Sequence, residues 1–135
     1  MTDQDAQEYL DDMVRERGYV LEYHKRLVAA DYEFARAAND IVDAAYLKPR
    51  LLDRKTKELA IIVACVALKD STPHLQCHMH AAKNAGATPE EILELIELIG
   101  SWTGSVARIN GLEAWRATFR PDLPSIERVE GGDGR

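Results

Sequence analysis

Cysteine is scarce in this chain. The two present, Cys65 and Cys77, fall on separate expected helices, so no disulfide framework is implied and a reducing, cytoplasmic setting is the simplest reading. An excess of positive charge is also missing. Lys and Arg number 17 against 23 Asp and Glu, a formal net charge of −6, and the basic residues form no stripe. Neither nucleic acid nor a membrane surface is therefore an expected partner. A small anionic substrate stays open, because local charge in a pocket decides that. The longest apolar run, residues 59–68, is about half a membrane span. The opening MTDQDAQEYLDDM is acidic and lacks the charged-then-apolar layout of a secretion signal. There is no internal repeat and no low-complexity block. Residues 1–119 read as a single domain, and 120–135, with proline, glycine and charge, as a flexible C-terminal arm.

What is present reads as all helix. A first helix is expected over about 3–17, with Thr2 as N-cap and Gly18 as its end. Leu27, Ala30, Phe34, Ala37, Ala38, Ile41 and Ala45 recur at helical spacing over about 22–46, with a break near Ala30–Asp31. Pro49 marks a connection, and Asp53 is a plausible cap for a helix to about Leu68. That helix is apolar on nearly every face and belongs at the centre of the domain; a buried strand is the competing reading of the run. Thr72 and Pro73 restart a helix that Gly86 ends, and Thr88-Pro89-Glu90-Glu91 opens the next with a capping box. It is expected to reach about Leu98. A last helix should run from near Ser101 to Phe119, with Gly104 and Gly111 as weak points.

The helix over about 72–85 carries three of the four histidines. Side chains at i, i+3 and i+4 share a helix face, so His74, Cys77 and His78 point the same way and His80 leans off. Met79 reads as core, His80 as surface, and His24, among charged neighbours, as solvated. His74, Cys77 and His78 could supply three ligands to zinc, nickel or copper. A metal hydrolase motif would add a glutamate, and Gln76 is no substitute, so no metal is assigned.

KTKELAIIVACVA at 55–67, followed by His74, His78, Ala82 and Ala85-Gly86-Ala87-Thr88-Pro89-Glu90-Glu91-Ile92, resembles the carboxymuconolactone decarboxylase family. That superfamily also holds the AhpD-like alkylhydroperoxidases. The resemblance covers about residues 50–118. It implies an all-α, AhpD-like domain of about six helices, assembling as a homo-oligomer, commonly a trimer or a hexamer built from trimers. Peroxidase members carry a Cys-x-x-Cys pair, a histidine four residues on and a glutamate on the preceding helix. Counted back from Gly86, the histidine falls on His78, the second cysteine on His74 and the first on Ser71. The glutamate falls on Glu58, with a one-residue insertion near Lys69-Asp70 blurring that match. The redox pair is thus absent, and the decarboxylase branch, which lacks the cysteines and keeps the histidine, fits better.

The resemblance implies a cofactor-independent carboxy-lyase acting on a carboxymuconolactone-type or related small cyclic acid in aromatic catabolism. The ring double bond and lactone carbonyl accept charge as CO2 leaves, so no metal or organic cofactor is needed. His78 is the candidate acid–base group, Glu58 its orienting carboxylate and His74 an assisting polar group. Each has a structural alternative: a core hydrogen bond for His78, a helix-dipole carboxylate for Glu58, a helix-end polar residue for His74. Substrate carboxylates call for a cation, and Arg50, Arg54, Arg108 and Lys83 are candidates between which the sequence does not choose. Arg108 is taken for its place among small residues on the last helix, with Trp102 as a pocket wall. Salt-bridge and interface roles are the alternatives for those two. Two other functions stand beside this one: a Cys77-dependent, peroxidase-like redox enzyme, and a non-catalytic oligomeric ligand-binding protein.

Overall fold

The computed structural model describes residues 2–126, and among them every regular element is helical. The α-helices are α1 (Asp3–Arg17), α2 (Glu22–Ala30), α3 (Tyr32–Val42), α4 (Arg54–Ala67), α5 (Thr72–Asn84), α6 (Pro89–Thr103) and α7 (Ser105–Phe119); a π-helical turn, Asp43–Leu47, continues α3. Seven stand where about six are expected, because the 22–46 pattern divides at Asp31. The Asp31 carboxylate accepts from the Phe34 N–H at 3.0 Å and so starts a new helix. None of the described helices is long and apolar enough to cross a membrane.

The described residues fall into two compact units, one up to Arg54 and one from Lys55 onward. In the first, Thr2 and Asp5 form the capping box that opens α1, and Gly18, at φ +88°, ends it. Arg17 is buried, and its guanidinium meets the Asp43 carboxylate at 3.1 Å on the π-helical turn. His24 is not a solvated residue as expected. It is half-buried, its Nδ1 accepts the Leu21 N–H at 3.0 Å, and the Arg17 guanidinium lies 3.5 Å from its Nε2. Helix α2 lacks a capping side chain at Leu21, and this histidine satisfies that open donor instead.

The second unit holds α4–α7 around a core that includes Ile62, Val66, Leu75, Met79, Ile92 and Ile96. Met79 is core and His80 is exposed, as expected. Helix α4 differs from its reading as all-round buried. Glu58, Ile62, Cys65 and Val66 face inward, while Ala60 and Ala64 lie exposed along the opposite side, as does Leu68 just past its end. The Thr88–Glu91 capping box opens α6 as expected. That helix runs past Leu98 to Thr103, because Gly100 does not break it. A Cβ at Gly100 would stand 2.5 Å from the Cβ of Arg108, so its glycine is what lets α7 approach. The break falls at Gly104, whose φ of +101° suits glycine. Gly111 is no weak point either. It sits where α7 passes Val66 and Ile96, whose methyls would lie 3.0–3.1 Å from an added Cβ. Of the expected arm, residues 127–135 lie outside the described residues. The part before them is tied to α7: Arg116 donates to the Leu123 carbonyl at 3.0 Å, and Glu113 accepts from the Ile126 N–H at 3.2 Å.

Candidate active site

The turn between α4 and α5 places the site. After Ala67 the backbone reverses through Lys69, which holds φ +56°. The Asp70 N–H then returns to the Cys65 carbonyl at 2.9 Å and the Lys69 N–H to Val66 at 3.1 Å, the bond pattern of a left-handed helix stop. This reversal sets the Asp70 side chain at the entry of α5, one turn before His74. Helix α5 begins one residue earlier than expected: Ser71 holds the N-cap position, Thr72 is the first helical residue, and Pro73 fits the first turn, where no N–H is needed. From α7, Asn110 donates to the Asp70 carbonyl at 2.7 Å and pins the turn.

Four side chains then join in a line. His78 Nδ1 lies 2.8 Å from Oε2 of Glu58, which α4 presents from a fully buried position. His78 Nε2 lies 3.2 Å from His74 Nε2, and His74 Nδ1 hydrogen-bonds the Asp70 carboxylate. The line runs from the core outward: Glu58 and His78 are buried, while the His74 and Asp70 side chains are each about one-third exposed (35% and 33%).

A proton count follows from this geometry. Each of the three contacts needs one hydrogen between its two heavy atoms. Two carboxylates and two neutral imidazoles bring only two. A third proton would let all three contacts be hydrogen bonds at once, the tautomer of each ring deciding which group carries it. With it, the three protons can shift in concert from one end to the other, so this is a route for a proton between a buried imidazole and the solvent side.

The surroundings fit ionised Asp70 at the outer end. Partial burial works to raise its carboxyl, but the Ser71 N–H at 2.7 Å and the His74 ring outweigh it and hold the group below the usual carboxylate range. The thiols behave oppositely. Burial, aided by the Glu58 charge, pushes Cys77 up to about 12, and burial with the Asp70 charge pushes Cys65 up to about 11. Cys77 therefore keeps its proton at neutral pH and is poorly suited as a peroxide-reducing nucleophile. Its Sγ instead donates to the His74 carbonyl at 3.0 Å. Both cysteines are free.

His78, Glu58 and His74, expected as acid–base group, orienting carboxylate and assistant, are thus brought into one hydrogen-bonded line. Arg108 and Trp102 are not. Both are exposed, Trp102 at 84%, and among the described residues no hydrogen bond or ion pair links either to the imidazoles. Arg108 lies two residues from Asn110, roughly opposite it around α7, and packs by its stem at Gly100. Asp70 and Asn110 were missed. Asp70 had a signal, standing four residues before His74; Asn110 had none, since a contact across 40 residues is set by packing.

No curated protein and no solved structure matches the chain. The model of the Carboxymuconolactone decarboxylase family matches residues 32–117, reaching back through α3 and the π-helical turn, which the sequence resemblance did not include. With the match spanning more than half its length, the chain belongs to the carboxymuconolactone decarboxylase family.

Proposed function

We propose that the protein is a cofactor-independent decarboxylase acting on a carboxymuconolactone-type or related small cyclic acid in aromatic catabolism, with His78 as the proton donor. The observation that carries this reading is the hydrogen-bonded line Glu58–His78–His74–Asp70. When the carboxylate leaves as CO2, its bonding pair passes into the ring and the lactone carbonyl as a dienolate. The carbon left behind needs one proton. His78 Nε2 supplies it, with Glu58 stabilising the charged imidazole and fixing which nitrogen faces the substrate. His74 covers that nitrogen at 3.2 Å, so it turns aside to admit substrate. Afterwards it restores the proton from the solvent side, with Asp70 holding its ring. The held-protonated Cys77 thiol favours this chemistry over peroxide reduction.

We assign Arg108 and Trp102 to the seam of a homo-oligomer, a trimer or hexamer, rather than to a substrate pocket. Supporting this are exposed apolar side chains on α6 and α7, Leu98, Trp102, Val106 and Ile109, and the open Ala60–Ala64 side of α4 with Leu68 just past its end. Two free thiols suit a cytoplasmic location.

The test is direct. Chelator-treated protein is incubated with 4-carboxymuconolactone and CO2 release is followed. Fast release that falls by at least about 10²-fold in His78→Gln is expected. No release from folded protein, or undiminished release from the variant, overturns the proposal.

A further inference from the structure

The imidazole pair has a second chemistry. Each ring is held at Nδ1 by a carboxylate, Glu58 for His78 and Asp70 for His74, and the two Nε2 atoms converge. A carboxylate on the far nitrogen is the arrangement that orients a metal-binding histidine and raises its basicity. The distance agrees. Two imidazole nitrogens at 2.0–2.1 Å from a tetrahedral ion stand about 3.3 Å apart, and these stand 3.2 Å apart. His74, Cys77 and His78 each offer one possible ligand atom, and the three atoms lie within 4.8 Å of one another. The sequence alone argues against a metal because no glutamate stands between the histidines on α5. In the fold the carboxylates arrive from outside that helix, from α4 and from the α4–α5 turn.

We propose that His74 Nε2, His78 Nε2 and Cys77 Sγ form a binding site for one divalent transition-metal ion of the zinc class, the ion standing between the two converging imidazole nitrogens. Two nitrogens and a sulfur select a borderline ion such as zinc, cobalt or nickel over magnesium or calcium, which require oxygen ligands. The two carboxylates offset the charge of the ion. Binding releases the thiol proton to solvent, and leaves the fourth tetrahedral position for water. Half-exposed His74 and Cys77 provide the entry path. The second possible set, Cys65, Asp70 and His74, is the weaker one. It draws Asp70 out of its orienting role and relies on the more deeply buried thiol.

This inference does not rest on the decarboxylase reading, and its test has no activity readout. Cobalt(II) is titrated into the chelator-treated full chain and followed by absorption. One cobalt per chain is expected, with intense tetrahedral ligand-field bands and a thiolate-to-cobalt charge-transfer band. Cys77→Ser should lose the charge-transfer band and retain weaker binding. His74→Ala should weaken affinity at least about 100-fold, Asp70→Asn about 10-fold, and Cys65→Ser should leave the spectrum unchanged. His74 and Cys77 are half-exposed, so neither variant threatens the core, and far-UV circular dichroism checks this. Well under one cobalt per chain, a weak six-coordinate spectrum, full affinity in His74→Ala, or a charge-transfer band that disappears with Cys65→Ser instead would each overturn the proposal.

Discussion

The contact between Glu58 and His78 should be worth far more than proximity, and a double-mutant cycle can measure it. Glu58→Gln and His78→Gln nearly preserve side-chain volume, so neither opens the cavity that an alanine would. Glu58 is fully buried and His78 is 4% exposed, so solvent screens their 2.8 Å contact little. Hydrogen bonds to charged groups contribute about 1.5–3 kcal/mol, against about 1 for neutral ones. Glu58→Gln should therefore cost about 2 kcal/mol. His78→Gln takes the orienting imidazole from a buried carboxylate and should cost more, about 3–5 kcal/mol. The double variant replaces the pair with two amides and should be no worse than His78→Gln alone, a coupling of about 2 kcal/mol. Urea unfolding followed by tryptophan fluorescence suits the question. Both tryptophans, Trp102 and Trp115, lie in the unit that contains the pair, and Trp115 is a buried reporter whose indole donates to the Pro89 carbonyl at 2.8 Å. Protein concentration must be held fixed, because self-association would add to the apparent stability. Single costs that add to within about 0.5 kcal/mol of the double would refute the claim that these residues act as a charged pair.

Gly100→Ala should destabilise the same unit by about 1–3 kcal/mol. The better helix propensity of alanine does not offset a Cβ placed 2.5 Å from the Arg108 Cβ, which cannot swing away as a side-chain tip would; an unchanged urea midpoint would contradict the close approach of α6 and α7. The buried thiols predict a loss of stability in alkali. Cys65, raised to about 11 from 9.0, keeps its proton longer folded than unfolded, so its contribution is whole below pH about 9 and fades as pH rises toward 11. Cys65→Ala should flatten that part of the stability profile, and an equally steep decline in the variant would count against it. Alkylation by iodoacetamide at pH 7 should be slower at Cys77 than in a model thiol by at least about 10²-fold, as the raised value of about 12 requires. Modification at the rate of an ordinary exposed thiol would restore the redox reading.

Much of the fold was legible because its punctuation is local. Thr2, Gly18, Asp31, Gly86 and the Thr88–Glu91 box mark helix ends by chemistry that acts within four residues. The misread boundaries depend on distant partners. Gly100 and Gly104 look alike in sequence; one is an interior helix residue against which Arg108 packs, and the other is the break. Gly111 likewise owes its place to Val66 and Ile96. His24 was misplaced because its role, accepting the Leu21 N–H, depends on how α2 begins rather than on its charged neighbours.

The site was half legible for the same reason. Helical spacing puts His74 beside His78, and the family pattern puts Glu58 nearby. The four-residue spacing from Asp70 to His74 is a further signal, but Asp70 precedes the helix and reaches His74 only through the left-handed turn at Lys69. That residue changes the chemistry. With Glu58 alone, the arrangement is one carboxylate orienting one imidazole. With Asp70 at the other end it becomes a line of four groups joined by three contacts along which a proton can pass, and equally a pair of oriented nitrogens spaced for a metal ion. Both readings claim His78 Nε2, so they cannot operate at the same moment. An ion on that nitrogen blocks proton delivery to carbon, and a proton on it blocks the ion. The chelator-treated protein is therefore the form in which decarboxylation should be sought. Zinc added at one equivalent per chain should inhibit it, and removal of the zinc should restore it.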